Sequence, residues 1–229
     1  MSQIEVESIY RQSIGCNSCF ENPEFEVERG LIKTAQPRWI GRDYFSSRLK
    51  ICVIAINPGN VGRGISDISS AEKFQKRILD FEQKKGTWEE VMSFIEGDME
   101  NWGKGRYEKF YFEKMKLEVN EVALMNMMLC SATPPGQRKN KYTKQTLKNC
   151  FKKNTKKLIC ALEPEVIILS GKLVQSEMKA LALPLALPNS EIIDSFHYRP
   201  QNQNDWDRVD KDAERIGQYL KELKSNYEQ

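Results

Sequence analysis

Residues 49–59, LKICVIAINPG, read as one buried strand and the turn that ends it. The run over 49–56 is apolar apart from Lys50, rich in β-branched side chains, and closed by Asn57-Pro58-Gly59, a turn signal. A run without polar alternation is that of a strand covered on both faces, as in a parallel sheet. Three further runs repeat the pattern: VALMNMML at 122–129, VIIL at 166–169 and IIDSF at 192–196. Between them lie helical patterns. Two polar helices are expected over 69–97, broken near Gly86, and a short aromatic-rich helix over 107–115. Thr143 is the expected N-cap of a long helix that runs to Leu162 and stops at Glu163-Pro164. A helix over 172–182 and an amphipathic one over 207–224 complete the set, and residues 1–47 look irregular apart from a short first helix. Strands alternating with helices predict an α/β fold, three-layer α/β/α with a central, mostly parallel four-stranded sheet. In such sheets sites lie beyond the carboxyl ends of the strands. Asn57, the loop after Asn126, Gly171 and His197 all fall there.

The length predicts one domain spanning 1–229, with an N-terminal segment over about 1–47 and a helical insertion over about 66–106. The longest apolar stretches are too short to span a bilayer, and the polar start MSQIEVESIYRQS has no apolar signal region. A cytoplasmic monomer with no membrane partner and reduced thiols is therefore expected. The net charge of +3 conceals an asymmetry. Nine bases and no acid occupy residues 138–157, leaving 26 bases against 32 acids elsewhere, a net of −6. A basic island on an acidic body suits a polyanion, although a solvated lysine-rich helix face has the same composition.

Four groups of residues have the types and positions for chemistry. In AINPGNVGRG, residues 55–64, Asn57 stands at a strand end, where an amide holds a water by donating and accepting at once. The alternative is that Asn57-Pro58-Gly59 only makes a tight turn. Asn126 interrupts an apolar strand, so its amide either bonds to backbone or faces a polar ligand such as a pyrimidine edge. His197, the only histidine, follows the last strand and is either an acid, base or hydrogen-bond donor, or a capping residue. With no second histidine, a catalytic zinc site built on histidines is excluded. Finally, Cys16 and Cys19 form a CxxC, Cys130 follows the second strand, and Cys150 lies on the basic helix. Four converging thiolates suit an iron–sulfur cluster or a structural zinc. Cys52 and Cys160 read as core residues.

Taken in order, these segments resemble the uracil-DNA glycosylase superfamily, most closely its iron–sulfur branch. That branch has an early CxxC, a strand ending in a Pro-Gly loop, and a strand reading roughly N-V-V-K-C-R-P-P-G-N-R. A helix with the fourth cysteine, a strand reading P-x-V-I-x-x-L-G and a last strand ending in His follow. Here the counterparts are Cys16 and Cys19, INPG at 56–59, NMMLCSATPPGQR at 126–138, Cys150, LEPEVIILSGK at 162–172 and FHYRP at 196–200. The resemblance implies a base-excision glycosylase acting on uracil or a related deaminated base in single- or double-stranded DNA. It implies catalytic roles for Asn57 and His197 and a base pocket formed by Ile56, Pro58, Gly59 and Asn126. DNA contacts fall to Arg138, Lys139, Lys141, Lys172 and Arg199. Cys16, Cys19, Cys130 and Cys150 are implied as ligands of a 4Fe-4S cluster, with structural zinc as the alternative. A catalytically weak or inactive nucleic-acid-binding module on the same fold is the competing reading.

Four departures are visible. INPG looks more like the mismatch-specific branch, which has Asn at that place. Two extra residues separate Cys130 from Pro134-Pro135-Gly136. The usual His-Pro-Ser reads His197-Tyr198-Arg199. The phenylalanine that stacks on the base has no evident counterpart in NVGRGISDIS; Phe74 and Tyr44 are candidates, and neither is assigned.

Overall fold

The computed structural model describes residues 3–25, 27–28, 30–36, 38–56, 58, 68–103, 105–132, 141–181, 187–198 and 205–226. Its elements are, in order, α1 (Gln3–Ile14), α2 (Ser18–Glu21), β1 (Ile51–Ala55), α3 (Ile68–Glu82), α4 (Trp88–Asp98), α5 (Arg106–Glu108), β2 (Val122–Asn126), α6 (Lys144–Cys150), α7 (Lys156–Leu162), β3 (Val166–Ser170), α8 (Lys172–Ala180), β4 (Glu191–Ser195) and α9 (Trp206–Asn226). The fold is α/β with a central, all-parallel four-stranded sheet, consistent with the three-layer class expected from the sequence. The contacts divide the chain into two compact units, one of residues 1–39, 56–98 and 126–162, the other of residues 40–55, 99–125 and 163–229.

The second unit carries the sheet up to Met125, in the order β2-β1-β3-β4. Val53 stands beside Ile168 and Ile168 beside Ile193. Every residue of β3 is buried, which is why VIILS shows no alternation, whereas β4 at the edge is partly exposed. The chain leaves β1 for one side of the sheet and returns to the other, so the strand order reverses between β1 and β3. Helix α9 buries the stripe Val209, Ala213, Ile216 and Leu220, spaced as one helical face. The Arg106 guanidinium anchors it by pairing with Asp210 and lying 4.2 Å from the centre of the Trp206 ring. Past α5 the helix widens into a π-helical turn over Lys109–Lys114, which the aromatic pattern alone did not reveal.

The first unit is largely helical. Tyr10 of α1, Phe81 of α3 and Trp88 of α4 meet with ring centroids 5.3 and 5.6 Å from Trp88, and Phe74 stacks on Phe94 at 5.2 Å. Helix α4 starts at a capping box: Glu90 N–H donates to Thr87 Oγ1, and Thr87 N–H donates to the Glu90 carboxylate. The long basic helix begins where expected, with Thr143 Oγ1 accepting from Thr146 N–H at 3.2 Å. It is not uniform: a π-helical turn over Phe151–Thr155 joins α6 to α7.

The sheet strand β2 ends at Asn126, three residues short of the expected 129. The chain beyond it stays buried but changes partners. Met128 N–H donates to the Ile56 carbonyl, Gln36 N–H donates to the Leu129 carbonyl, and Ala35 forms an antiparallel bridge with Cys130. The buried Thr155 hydroxyl, at the end of the π turn, lies 3.1 Å from the Asn126 carbonyl and 3.2 Å from that of Met127. Thr155→Val keeps the shape but leaves two buried acceptors without this donor. It is expected to lower unfolding free energy by about 1–3 kcal/mol, read as a shift of the urea midpoint at unchanged slope. An unchanged midpoint would show that the tie contributes nothing.

Candidate functional site

In the second unit, the backbone that delivers His197 is held from several sides. The Ser195 carbonyl accepts from Gly171 N–H at 2.9 Å and from Gln175 Nε2 at 2.7 Å, and Gln175 also donates to the Leu169 carbonyl. Phe196 N–H donates to Asp212 Oδ2 at 3.0 Å. The ends of β3 and β4 are thereby joined just before His197. Gly171 has φ 95° and ψ 151°, a region essentially reserved for glycine, and a Cβ there would stand 3.2 Å from His197 Cβ. The turn and the close approach both require glycine.

His197 stacks on Tyr198, with ring centroids 4.3 Å apart and planes inclined by 29°. Tyr198 meets Tyr107 edge-on at 5.0 Å and covers Gly103, where a Cβ would come within 2.5 Å of the Tyr198 ring. Tyr111, fully buried, lies 6.3 Å from Tyr198 and donates its hydroxyl to Ser170 Oγ at 2.5 Å. Burial raises the Tyr111 hydroxyl well above its ordinary pKa, against the Ser170 contact, so it stays a donor. Tyr198 is therefore the lid of an aromatic cluster that includes Tyr107 and Tyr111. The hydrophobic sequence pattern did not reveal this support.

In the first unit, Asn126 is 3 % exposed, and its side-chain Nδ2 has no hydrogen-bond partner among the described residues. Gln36, fully buried, has neither amide atom paired there. Sequence reading missed it, because AQPRW looks like a polar loop. Ile56 is half-buried and Pro58 buried. Asn57, Gly59, Arg138, Lys139 and Arg199 lie outside the described residues, as does Pro134-Pro135-Gly136. Phe74 is 2 % exposed and Tyr44 fully buried, so both candidates for the stacking aromatic, neither of them assigned from the sequence, lie in the core.

The expected ligand cysteines all belong to the first unit, α2 with Cys19 packing against α6 with Cys150. N–H donors meet the sulfurs of Cys16, Cys19 and Cys150. Asn154 Nδ2 lies 3.3 Å from Cys16 Sγ, Asn149 Nδ2 3.2 Å from Cys19 Sγ, and Leu129 N–H donates to Cys150 Sγ at 3.4 Å. Burial opposes ionisation of Cys16, but Ser18, Asn154 and Lys153 together hold its thiol below the ordinary pKa. Burial pushes Cys19 up, only partly offset by Asn149, and pushes Cys150 up to about 12, partly offset by Leu129 N–H. Cys150 interacts electrostatically with both Cys16 and Cys19. Among the described residues, no three Cys, His, Asp or Glu side chains are disposed as a finished metal-binding group. Of the two cysteines assigned to the core, Cys52 is fully buried and Cys160 only half-buried.

Lys152, Lys153 and Lys157 are exposed along the basic helix, and Lys172 is exposed in the first turn of α8. Lys141 is paired with Glu28 at 3.2 Å, and both are half exposed to water. No helix among the described residues is long and apolar enough to cross a membrane. No protein-family model matches the chain, and no curated protein matches it. Gly171→Ala is expected to cost about 1–3 kcal/mol and to move the His197 ring resonances in an NMR spectrum. A variant with native stability and an unshifted His197 would contradict the fit described for this turn.

Proposed function

We propose that the chain hydrolyses the N-glycosidic bond of uracil, or of a related deaminated base, in DNA. The observation that carries the reading is the buried Nδ2 of Asn126 at the carboxyl end of β2, which has no hydrogen-bond partner among the described residues. A buried amide left without a partner costs on the order of 1–3 kcal/mol, which a ligand carbonyl offsets. In this reading Asn126 donates to a carbonyl of the flipped base and accepts from its ring N–H, a pattern that fits uracil better than cytosine. The motif resemblance supplies the reaction class.

Cleavage breaks the C1′–N1 bond, and its electron pair leaves with the base. A water oxygen bonds to C1′, the water proton is released, and the products are the free base and an abasic sugar. A ring N–H of His197 donates to the base oxygen as negative charge gathers there. Asn57 orients the water. An amide is no general base, so this step rests on positioning and on the cationic character of the sugar. Arg138, Lys139, Lys141, Lys172 and Arg199 are assigned to DNA phosphates, together with the exposed lysines of the basic helix, so affinity falls steeply with salt.

Cys16, Cys19, Cys130 and Cys150 would hold a 4Fe-4S cluster, or alternatively a structural zinc. The N–H donors on the sulfurs of Cys16, Cys19 and Cys150 fit thiolate ligands. When bound, the group ties the N-terminal segment to the chain after β2 and to the basic helix.

A second reading, a DNA-binding module without turnover, is favoured by the burial of Phe74 and Tyr44, which leaves the stacking aromatic unassigned. One assay separates the two. Anaerobically purified protein is incubated with a labelled oligonucleotide carrying one uracil, as a single strand and in U·G and U·A pairs, and abasic sites are opened with alkali. Strand breakage at uracil is expected. His197→Ala and Asn126→Ala should each slow it roughly 100-fold or more while DNA binding is kept. Binding without breakage in all three substrates would overturn the enzyme reading in favour of the module. A second expectation concerns the ligands: Cys150→Ser should lose the metal and lower the melting temperature. Unchanged metal content and melting temperature in that variant would refute its assignment.

A further inference from the structure

Two asparagines flank Cys150 on the basic helix, and neither is used by the proposed reaction. Asn149 aims its amide at Cys19 Sγ and Asn154 aims its own at Cys16 Sγ, at 3.2 and 3.3 Å. Asparagine is a poor helix former, and Asn154 is 8 % exposed, so its position needs a reason beyond helix propensity. On an α-helix, residues five apart project ~140° away from each other. Here Phe151–Thr155 form a π turn, whose bonds run from i to i+5. The wider turn brings residues 149 and 154 onto one side of the helix, and the two amides reach the two cysteines of the CxxC. A third donor, Leu129 N–H, meets Cys150 itself. The two core cysteines receive no such donor: among the described residues neither Cys52 nor Cys160 has a hydrogen-bonded sulfur. Asn154 also interacts with Cys150, so its amide serves two of the proposed ligands.

From this we infer that Asn149 and Asn154 are positioning residues of the metal centre, holding Cys19 and Cys16 as thiolate ligands through N–H···S bonds set up by the π turn. The inference rests on the reading of the four cysteines as a metal site. Such donors are charge-assisted when the sulfur is ionised, so they orient the ligand and slow its loss. In an iron–sulfur centre they also withdraw charge from sulfur and raise the reduction potential.

The test compares wild type with Asn149→Leu, Asn154→Leu and Asn154→Gln, all purified without oxygen. Iron, zinc and sulfide are counted per chain, and metal release to a chelator is followed in time. Lys152→Leu, on the same π turn, serves as the control. Both Leu variants are expected to release metal about 10-fold faster or more than wild type. Asn154→Gln, which keeps an amide, should recover part of the difference, and Lys152→Leu should behave as wild type. If wild type loads metal and both Leu variants release it at the wild-type rate, the inference is wrong and the metal site stands. If wild type binds neither iron nor zinc, the metal reading itself fails and the inference with it. Should a Leu variant not fold, the comparison of Asn154→Gln with Asn154→Asp decides. The aspartate has no donor and adds a negative charge beside Cys16, so it must lose metal faster, and equal rates would overturn the inference.

Discussion

The hydroxyl of Thr155 is the tie on which the first unit's candidate residues depend. It reaches the carbonyls of Asn126 and Met127 at the point where β2 gives up its sheet partners. On one side of that contact lies Asn126, buried, its amide nitrogen without a partner among the described residues. On the other lies the π turn that follows Cys150 and carries Asn154. A carbonyl that leaves a strand inside a protein must find a donor or bear a desolvation cost, and here a helix side chain supplies it. The end of the strand and the middle of the basic helix are thereby fixed to each other, and with them the amide proposed to read a base and two of the cysteines proposed to hold a metal.

In the second unit, the Ser195 carbonyl, through Gly171 N–H and Gln175, ties β4 to the start of α8. Gly171 permits the approach of His197, and Tyr198 locks the histidine ring against the Tyr107 and Tyr111 cluster. Tyr198 is itself buttressed by Tyr107 and Tyr111 and covers Gly103.

Much of the fold was legible because its signals are local. Apolar runs marked the first three strands, a short Ile192-Ile193 core marked the fourth, Thr143 marked the basic helix, and Glu163-Pro164 marked its end. The helical insertion was visible too, including the break at Gly86. What escaped depends on tertiary partners. The shortened β2 follows from Thr155 and from residues 30–36, which no window around 122–129 contains. The π turns differ from α-helix by one residue per turn and leave no periodic trace, so the roles of Asn149 and Asn154 were hidden with them. Asn126 and His197 stood out as polar residues at strand ends and the cysteines by their type and spacing, whereas Gln36 did not. Phe74 and Tyr44 could not be assigned, because aromatic residues on a polar-looking helix or loop are ambiguous until their burial is known.

The central claim is that the Asn126 amide is reserved for a base. The most direct test is the side-chain amide NMR signal of Asn126, assigned by its loss in Asn126→Ala, during titration with a single-stranded oligonucleotide carrying an uncleavable uridine analogue. The account predicts that the Asn126 Nδ2 signal moves in step with binding, and that the same strand with cytidine in place of the analogue leaves it nearly still. A signal that stays fixed at saturation, or that moves equally for both strands, would contradict it.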